Sequence, residues 1–298
     1  MKQSKSMIFM FIMPAVLAFI AMFLYPVTRT VIMSFFHVES VTAAVSEWRF
    51  AGFGNYAELW NSLTFRASMQ NILLIWFAGG VIVLGMSLLM AVVLSSGVKG
   101  KSFFRAVIYL PNIVSAVALA TMWKQYVFVN NNYGLMKRVS KALGMGSVNW
   151  LGTDLLFWAM LIAFCFGAIG YYMLIFLSGI ERIPEDLCEA ATIDGATKSK
   201  QFRHITMPLL TGTVKTNLTF WSINTLTFFV WSKMFSPLGT NLATVTPMVY
   251  MYDITFGTQS NMDRSAGGGA AIGVVLAVFI LLIFFAINKL VKDDGVEY

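Results

Sequence analysis

Residues Glu189–Leu210 read EAATIDGATKSKQFRHITMPLL, a short, charged, helix-forming insert set between two apolar runs long enough to cross a bilayer. The chain enters it through GIERIPEDLC. Pro184 suits the first helical position, and Glu185 and Asp186 follow where the positive end of the helix dipole favours carboxylates. Leu187, Ala190 and Ala191 share one face at spacings of three and four. Gly195 is expected to end this helix, because glycine enters the left-handed region without penalty. A second helix, about Thr197 to Thr206, places Phe202 and Ile205 on one side and Lys198, Lys200 and Arg203 on others. Pro208 then opens the next apolar run. Two readings stand on these residues alone. The insert is a docking surface, whose alanines admit close approach and whose Glu189 and Asp194 accept charged hydrogen bonds, or it is a solvated connector lying against the membrane.

The rest of the chain is that of a membrane protein. Of its 298 residues 58% are hydrophobic and 12% charged, where a soluble domain carries about a quarter charged residues. The formal charge of +7 comes from 21 Lys and Arg against 14 Asp and Glu. These basic residues are scattered through loops, which suits lipid headgroups and topology rather than nucleic acid. Cys165 falls inside an apolar run and Cys188 inside the insert, so no disulfide framework is expected.

A charge at the bilayer centre costs about 2.5–3.5 kcal/mol, so charge-free intervals mark spans. They predict six, at about 7–35, 70–95, 105–125, 155–180, 208–232 and 266–289, the fifth tolerating one charge, Lys215. The runs are continuous and do not alternate, which argues for helices over a barrel. The first is longer and bulkier than a signal peptide's apolar region and is read as retained. Residues 1–298 then form a single all-α transmembrane domain, with the segment 181–207 between the fourth and fifth spans. Six spans put both termini on one side. Lys2, Lys5, Lys99, Lys101, Arg105, Arg182, Lys198, Lys200, Arg203, Lys289 and Lys292 share that side in short segments, which the positive-inside rule assigns to the cytoplasm.

Little else in the sequence suggests chemistry. SSGVKGKS, Ser95 to Ser102, ends like a phosphate-binding loop, but Ser95 stands where that motif needs glycine and no strand precedes it. His37 and His204 are the only histidines. No nucleophile array or metal-spaced cluster appears, and the chain reads as no enzyme. A path for polar solutes needs inward polar groups. The fifth span supplies Asn217, Trp221, Asn224, Phe228 and Trp231 on one helical face, and the fourth adds Tyr171 and Tyr172 beside Gly170. Amides offer donors and acceptors to hydroxyls, and ring faces suit the apolar faces of sugars. The same residues would also serve as a helix–helix interface. Lys215 reads as a snorkelling residue or a gate. The SAGGGAAIG run, Ser265 to Gly273, reads as a close-packing surface toward a neighbouring helix of this chain or of a partner.

The insert resembles the EAA loop of ABC-importer permeases: an EAA triplet, a glycine a few residues on, then an isoleucine and a leucine-proline pair. EAATIDGA followed by FRHITMP is similar to the sugar-importer, maltose-type branch. The likeness extends along the chain through PAVLAFIAMFLYP, FAGFGNYAELW, GKSFFRAVIYLPNIVSAVALATMWKQYV, YGLMKRVSKALGMGSVNWLG and TPMVYMYDITF. Met207 departs from the usual leucine, Gly212 from a frequent proline and Cys188 from a frequent aromatic residue, which leaves subfamily and substrate open. The resemblance implies a type I importer permease whose Glu189, Ala190, Ala191, Asp194 and Gly195 couple to an ATPase subunit, with Phe202, Ile205 and Pro208 fixing the second helix. It also implies solute contacts on the spans flanking the loop. The expected partners are a second, similar permease, two ATPase subunits carrying ATP and Mg, and an extracytoplasmic solute-binding protein. The chain itself would bind no cofactor. The expected cargo is a carbohydrate, an oligosaccharide by this likeness. The rival readings are a permease for glycerol phosphate or another small polar metabolite, and a self-contained secondary carrier. The latter should show an internal repeat or buried acidic residues, which the spans lack.

Overall fold

The computed structural model describes residues 5–131, 133–144, 146, 148–236, 240–258 and 263–291, with side chains described from residue 9. Lys2 and Lys292, counted above for topology, lie outside the described residues. The helices in chain order are α1 (apolar over Phe9–Met33), α2 (Gly54–Asn61), α3 (Leu63–Ser95), α4 (Lys101–Ile113), α5 (Ala116–Val127), α6 (Leu135–Ala142), α7 (Leu156–Ile180), α8 (Glu185–Ile193), α9 (Lys198–Gln201), α10 (Thr211–Leu226), α11 (Val230–Phe235), α12 (Pro247–Phe256) and α13 (Ala266–Leu290). A two-stranded antiparallel ribbon pairs β1 (Phe36–His37) with β2 (Arg49–Phe50), Phe36 opposite Phe50.

Among the described residues, α1, α3, α7 and α13 are each long and apolar enough to cross a membrane, and the bent pair α4–α5 makes a fifth span if counted as one. The charge-free intervals located α7 and α13 to within a residue. Helix α3 starts earlier than expected, at Leu63, because the Ser62 hydroxyl accepts the Phe65 amide (3.3 Å) and a single Arg66 does not stop a helix. The third predicted span is broken by 95° between α4 and α5. Pro111 has no amide to continue the ladder, and the chain turns extended at Val114 and Ser115. The fifth predicted span is helical but interrupted. Its α10 has 16 residues, about 24 Å at 1.5 Å each, rich in Thr, Ser and Asn, and it ends at Thr227 before α11 begins at Val230.

The chain divides into two compact units. In the first, residues 1–66 and 250–278, α1 has no buried side chain along most of its apolar length, and only Met33 at its end is buried. Asn55 donates to the Ser34 and Phe36 carbonyls (2.8 and 2.9 Å), tying α2 to the ribbon. The glycine run at the start of α13 packs within this chain. The Gly267 amide donates to the Val38 carbonyl (3.0 Å), and a β-carbon at Gly267 would collide with the Phe36 carbonyl oxygen. At Gly269 it would collide with the Thr255 hydroxyl. In the second unit, residues 67–249 and 279–298, α7 is the central helix. It packs against α3, α4, α5, α10 and α11, and its buried side chains run from Leu156 to Leu177.

Candidate functional site: a coupling turn and a solute cavity

The insert folds as a helix, a tight turn and a second helix. Glu185 and Asp186 occupy the first turn of α8, with Pro184 at the cap, one position earlier than expected. Gly195 ends it with φ +77°, its amide on the Thr192 carbonyl (3.0 Å) and the Ala196 amide on the Ala191 carbonyl (2.8 Å). This is the paired closure that a left-handed glycine makes possible. Thr197 then caps α9, accepting the Lys200 amide (3.4 Å). Helix α9 passes into a widened turn, Phe202–Thr206, and the short helix Met207–Leu209. Pro208 cannot donate to the carbonyl four residues back, and the ladder widens just before it.

The predicted residues fall on different surfaces of this element. Glu189, Ala190, Asp194, Gly195 and Pro208 are exposed, while Ala191, Phe202 and Ile205 are half-buried. Two residues that sequence reasoning passed over matter here. Gln201 is buried, and its amide donates to the Thr192 hydroxyl (2.8 Å) and the Ala196 carbonyl (3.2 Å), bolting α9 to α8. Ile193 is 87% exposed at the tip of α8, an apolar side chain with nothing over it in this chain. Its place beside Asp194 was the available signal. At the root of the element, one oxygen of Glu181 meets Lys101 Nζ (3.2 Å) and Arg105 Nη2 (2.9 Å), tying the start of α4 to the end of α7.

A cavity of about 510 Å³ opens where the two helix breaks lie. Its wall includes Pro111, Asn112 and Val114 from the α4–α5 bend, Thr227 to Trp231 from the α10–α11 break, and Phe164, Gly167, Tyr171 and Tyr172 from α7. Asn224 faces it and donates from its amide to the Tyr172 hydroxyl (3.1 Å). Close packing shapes the wall. A β-carbon at Gly170 would stand 2.7 Å from the Tyr109 α-carbon, so α4 meets α7 backbone to backbone there.

Of the predicted path residues, Tyr171, Tyr172, Asn224, Phe228 and Trp231 line this cavity. Trp221 and Asn217 do not. Trp221 is 1% exposed, with its ring over Gly79 and Gly80 and its indole N–H on the Trp76 carbonyl (2.8 Å). Trp76 returns its own N–H to the Ser222 hydroxyl (2.9 Å). Asn217 is fully buried. Asn112 and Thr227, polar members of the wall, were not singled out, since neither shares the periodic face of the stripe. The paired glycines at 79–80 were the legible sign that a large side chain seats against α3.

Residues 57–293 match the model of the family described as binding-protein-dependent transport system inner membrane component. The chain belongs to this family. The permease is 31% identical over 294 residues to an arabinooligosaccharides transport system permease protein of Bacillus subtilis (strain 168), covering 96% of this chain and 88% of that one. It is 28% identical to a lactose transport system permease protein of Rhizobium radiobacter, over 94% and 93% of the two chains. Its fold matches a chain of a bacterial ABC transporter involved in the import of the acidic polysaccharide alginate, with a TM-score of 0.80 and 20% identity over 97% of this chain and 96% of that one. The permease is thus a multi-pass membrane protein of the ABC transport type.

Proposed function

We propose that this permease forms one half of the membrane path of an ATP-driven carbohydrate importer, with an oligosaccharide as cargo. The observation that carries this reading is the cavity, where the rings of Tyr171, Tyr172, Phe228 and Trp231 stand beside the amides of Asn112 and Asn224 and the Thr227 hydroxyl. Rings suit the apolar faces of sugars, and amides offer donors and acceptors to their hydroxyls. About 510 Å³ lies within the range of roughly 300–1,000 Å³ usual for small-molecule sites. Among the described residues no charged side chain lines the cavity, which favours a neutral solute over glycerol phosphate. The named cargoes of the relatives support the same class.

In this reading both termini are cytoplasmic, and the whole chain works as one transmembrane domain. The exposed surface of α8, with Glu189, Ala190 and Asp194, docks on an ATPase subunit. The buried Gln201 and the half-buried Phe202 and Ile205 make the two helices move as one body. ATP and Mg act on the two ATPase partners, not on this chain. A second, similar permease completes the path, and an extracytoplasmic solute-binding protein delivers the sugar. The test is purification of the tagged chain from its native membranes in mild detergent, with mass spectrometry of what accompanies it. An ATPase and a second permease are expected, and the reconstituted assembly should import sugar only with ATP. Recovery of this chain alone, moving solute into liposomes without ATP, would overturn the reading.

A further inference from the structure

Of the two predicted path residues that do not line the cavity, Trp221 has a hydrogen-bond partner and Asn217 has none. Its side chain is 0% exposed, and neither its amide nitrogen nor its amide oxygen has a hydrogen-bond partner. Buried polar groups are almost always paired, because an unpaired amide keeps the full penalty of leaving water. Zero exposure within this chain also removes the alternative that Asn217 bonds to a partner subunit. The residue shares a helical face with Asn224, two turns or about 10 Å along α10 on the side of the coupling turn. Asn224 already faces the cavity.

Between the two asparagines stands Trp221. Its ring packs edge-on against Tyr172 (5.7 Å between centroids) and tilted against Phe164 (5.7 Å), both of which line the cavity. Its N–H is held by the Trp76 carbonyl, which belongs to the widened turn Ile75–Gly79 of α3. Such wide turns are rare in helices and occur frequently at functional sites. The indole is held by that hydrogen bond and by its packing on Gly79, Gly80, Tyr172 and Phe164, and one turn before it on the same helical face stands an amide with nothing to bind.

We propose that Asn217 is an inner polar station of the solute path, shut off in this structure by Trp221 acting as its gate. The station takes hydroxyl groups of the passing solute, which supply the donor and acceptor its amide lacks. This rests on the cavity being the path.

The test measures access to the site. Asn217→Cys, in a Cys165→Ala, Cys188→Ser background, is assembled with its natural partners in native membrane vesicles. It is exposed to a small water-soluble methanethiosulfonate reagent, at rest and after trapping with ATP and vanadate. The expected result is no labelling at rest and labelling at least tenfold faster when trapped. Adding Trp221→Phe, which keeps an aromatic ring but loses the indole N–H that bonds Trp76, should give labelling at rest. Failure to label in either state, or equal labelling in both, overturns the proposal. Asn224→Cys separates the two levels: if it labels and Asn217→Cys never does, only the inner station falls, and if neither labels, the cavity is not the path. Asn217→Leu supplies a second readout. Removing two unpaired polar atoms should raise the midpoint of thermal unfolding by about 2–4 °C, whereas an unchanged or lower midpoint would show the amide to be structural and overturn the proposal.

Discussion

The amide of Gln201 reaches two good acceptors on α8 and its turn, the Thr192 hydroxyl at 2.8 Å and the Ala196 carbonyl at 3.2 Å. Leucine at this position would fill the space but leave both acceptors facing an apolar group, at about 1–3 kcal/mol. That is enough to loosen a short element whose other ties are one capping threonine and one glycine closure. Gln201→Leu should therefore speed tryptic cleavage at the exposed Lys198 and Lys200 severalfold while the protein remains in the membrane, measured by limited proteolysis of inverted vesicles. Glycines show the same sensitivity with opposite signs. At Gly80 a β-carbon would stand 2.8 Å from the Trp221 indole nitrogen, but at Gly85 nothing lies within 4 Å. Gly80→Ala should destabilise by about 1–3 kcal/mol through overpacking. Gly85→Ala should stabilise by about 0.5–1 kcal/mol through helix propensity. Thermal unfolding of the two variants in one detergent checks the pair, and equal shifts would show that the Trp221 seat is soft.

At the scale of elements, function depends on the places where helices stop. The α4–α5 bend and the α10–α11 break both open into the cavity, which is where irregular backbone is tolerated at membrane depth. Asn224→Leu should raise the sugar concentration for half-maximal uptake about tenfold, the loss of one good polar contact of about 1.4 kcal/mol. Tyr172→Phe removes the partner of that amide but not the amide itself, and should cost less. Uptake kinetics of both variants decide this, and equal effects would mean the asparagine matters only through the tyrosine. How legible these elements were follows from what each is made of. Helices α7 and α13 are long, apolar and bounded by charges, so charge-free intervals found them. Asn224, Phe228 and Trp231 of the cavity wall were readable because they sit at helical spacing along the α10–α11 run, and Tyr171 and Tyr172 because they stand together beside Gly170 inside an apolar span. The 95° bend had one legible sign, Pro111, which a count of charge-free intervals does not weigh, and so Asn112 was passed over. The break at Thr227–Phe229 has neither proline nor glycine to announce it. Gln201 hid because a glutamine among lysines looks like solvated surface until the two helices are closed on one another.

For the whole molecule the question is how work done outside the membrane enters it. In the proposed assembly that work arrives through a nine-residue helix, α8, whose side chains are exposed except for the half-buried Cys188 and Ala191, and none of which is fully buried. Charge reversal on such a surface costs folding almost nothing, because an exposed carboxylate has no desolvated partner to lose. Any large effect must then come from a partner that reads the charge. Glu189 is exposed near the middle of α8, one turn before the bare Ile193. Glu189→Lys should leave the amount of protein in the membrane and its thermal midpoint within the range of the wild type. It should also abolish sugar uptake, because a like-for-unlike charge change at a docked face costs several kcal/mol. The two measurements must be made on the same vesicles: immunoblot and unfolding midpoint for the first, ATP-driven import for the second. Normal import by Glu189→Lys would mean that α8 is only a connector. Lost import together with lost protein would instead place Glu189 in the fold, against its exposure in this structure.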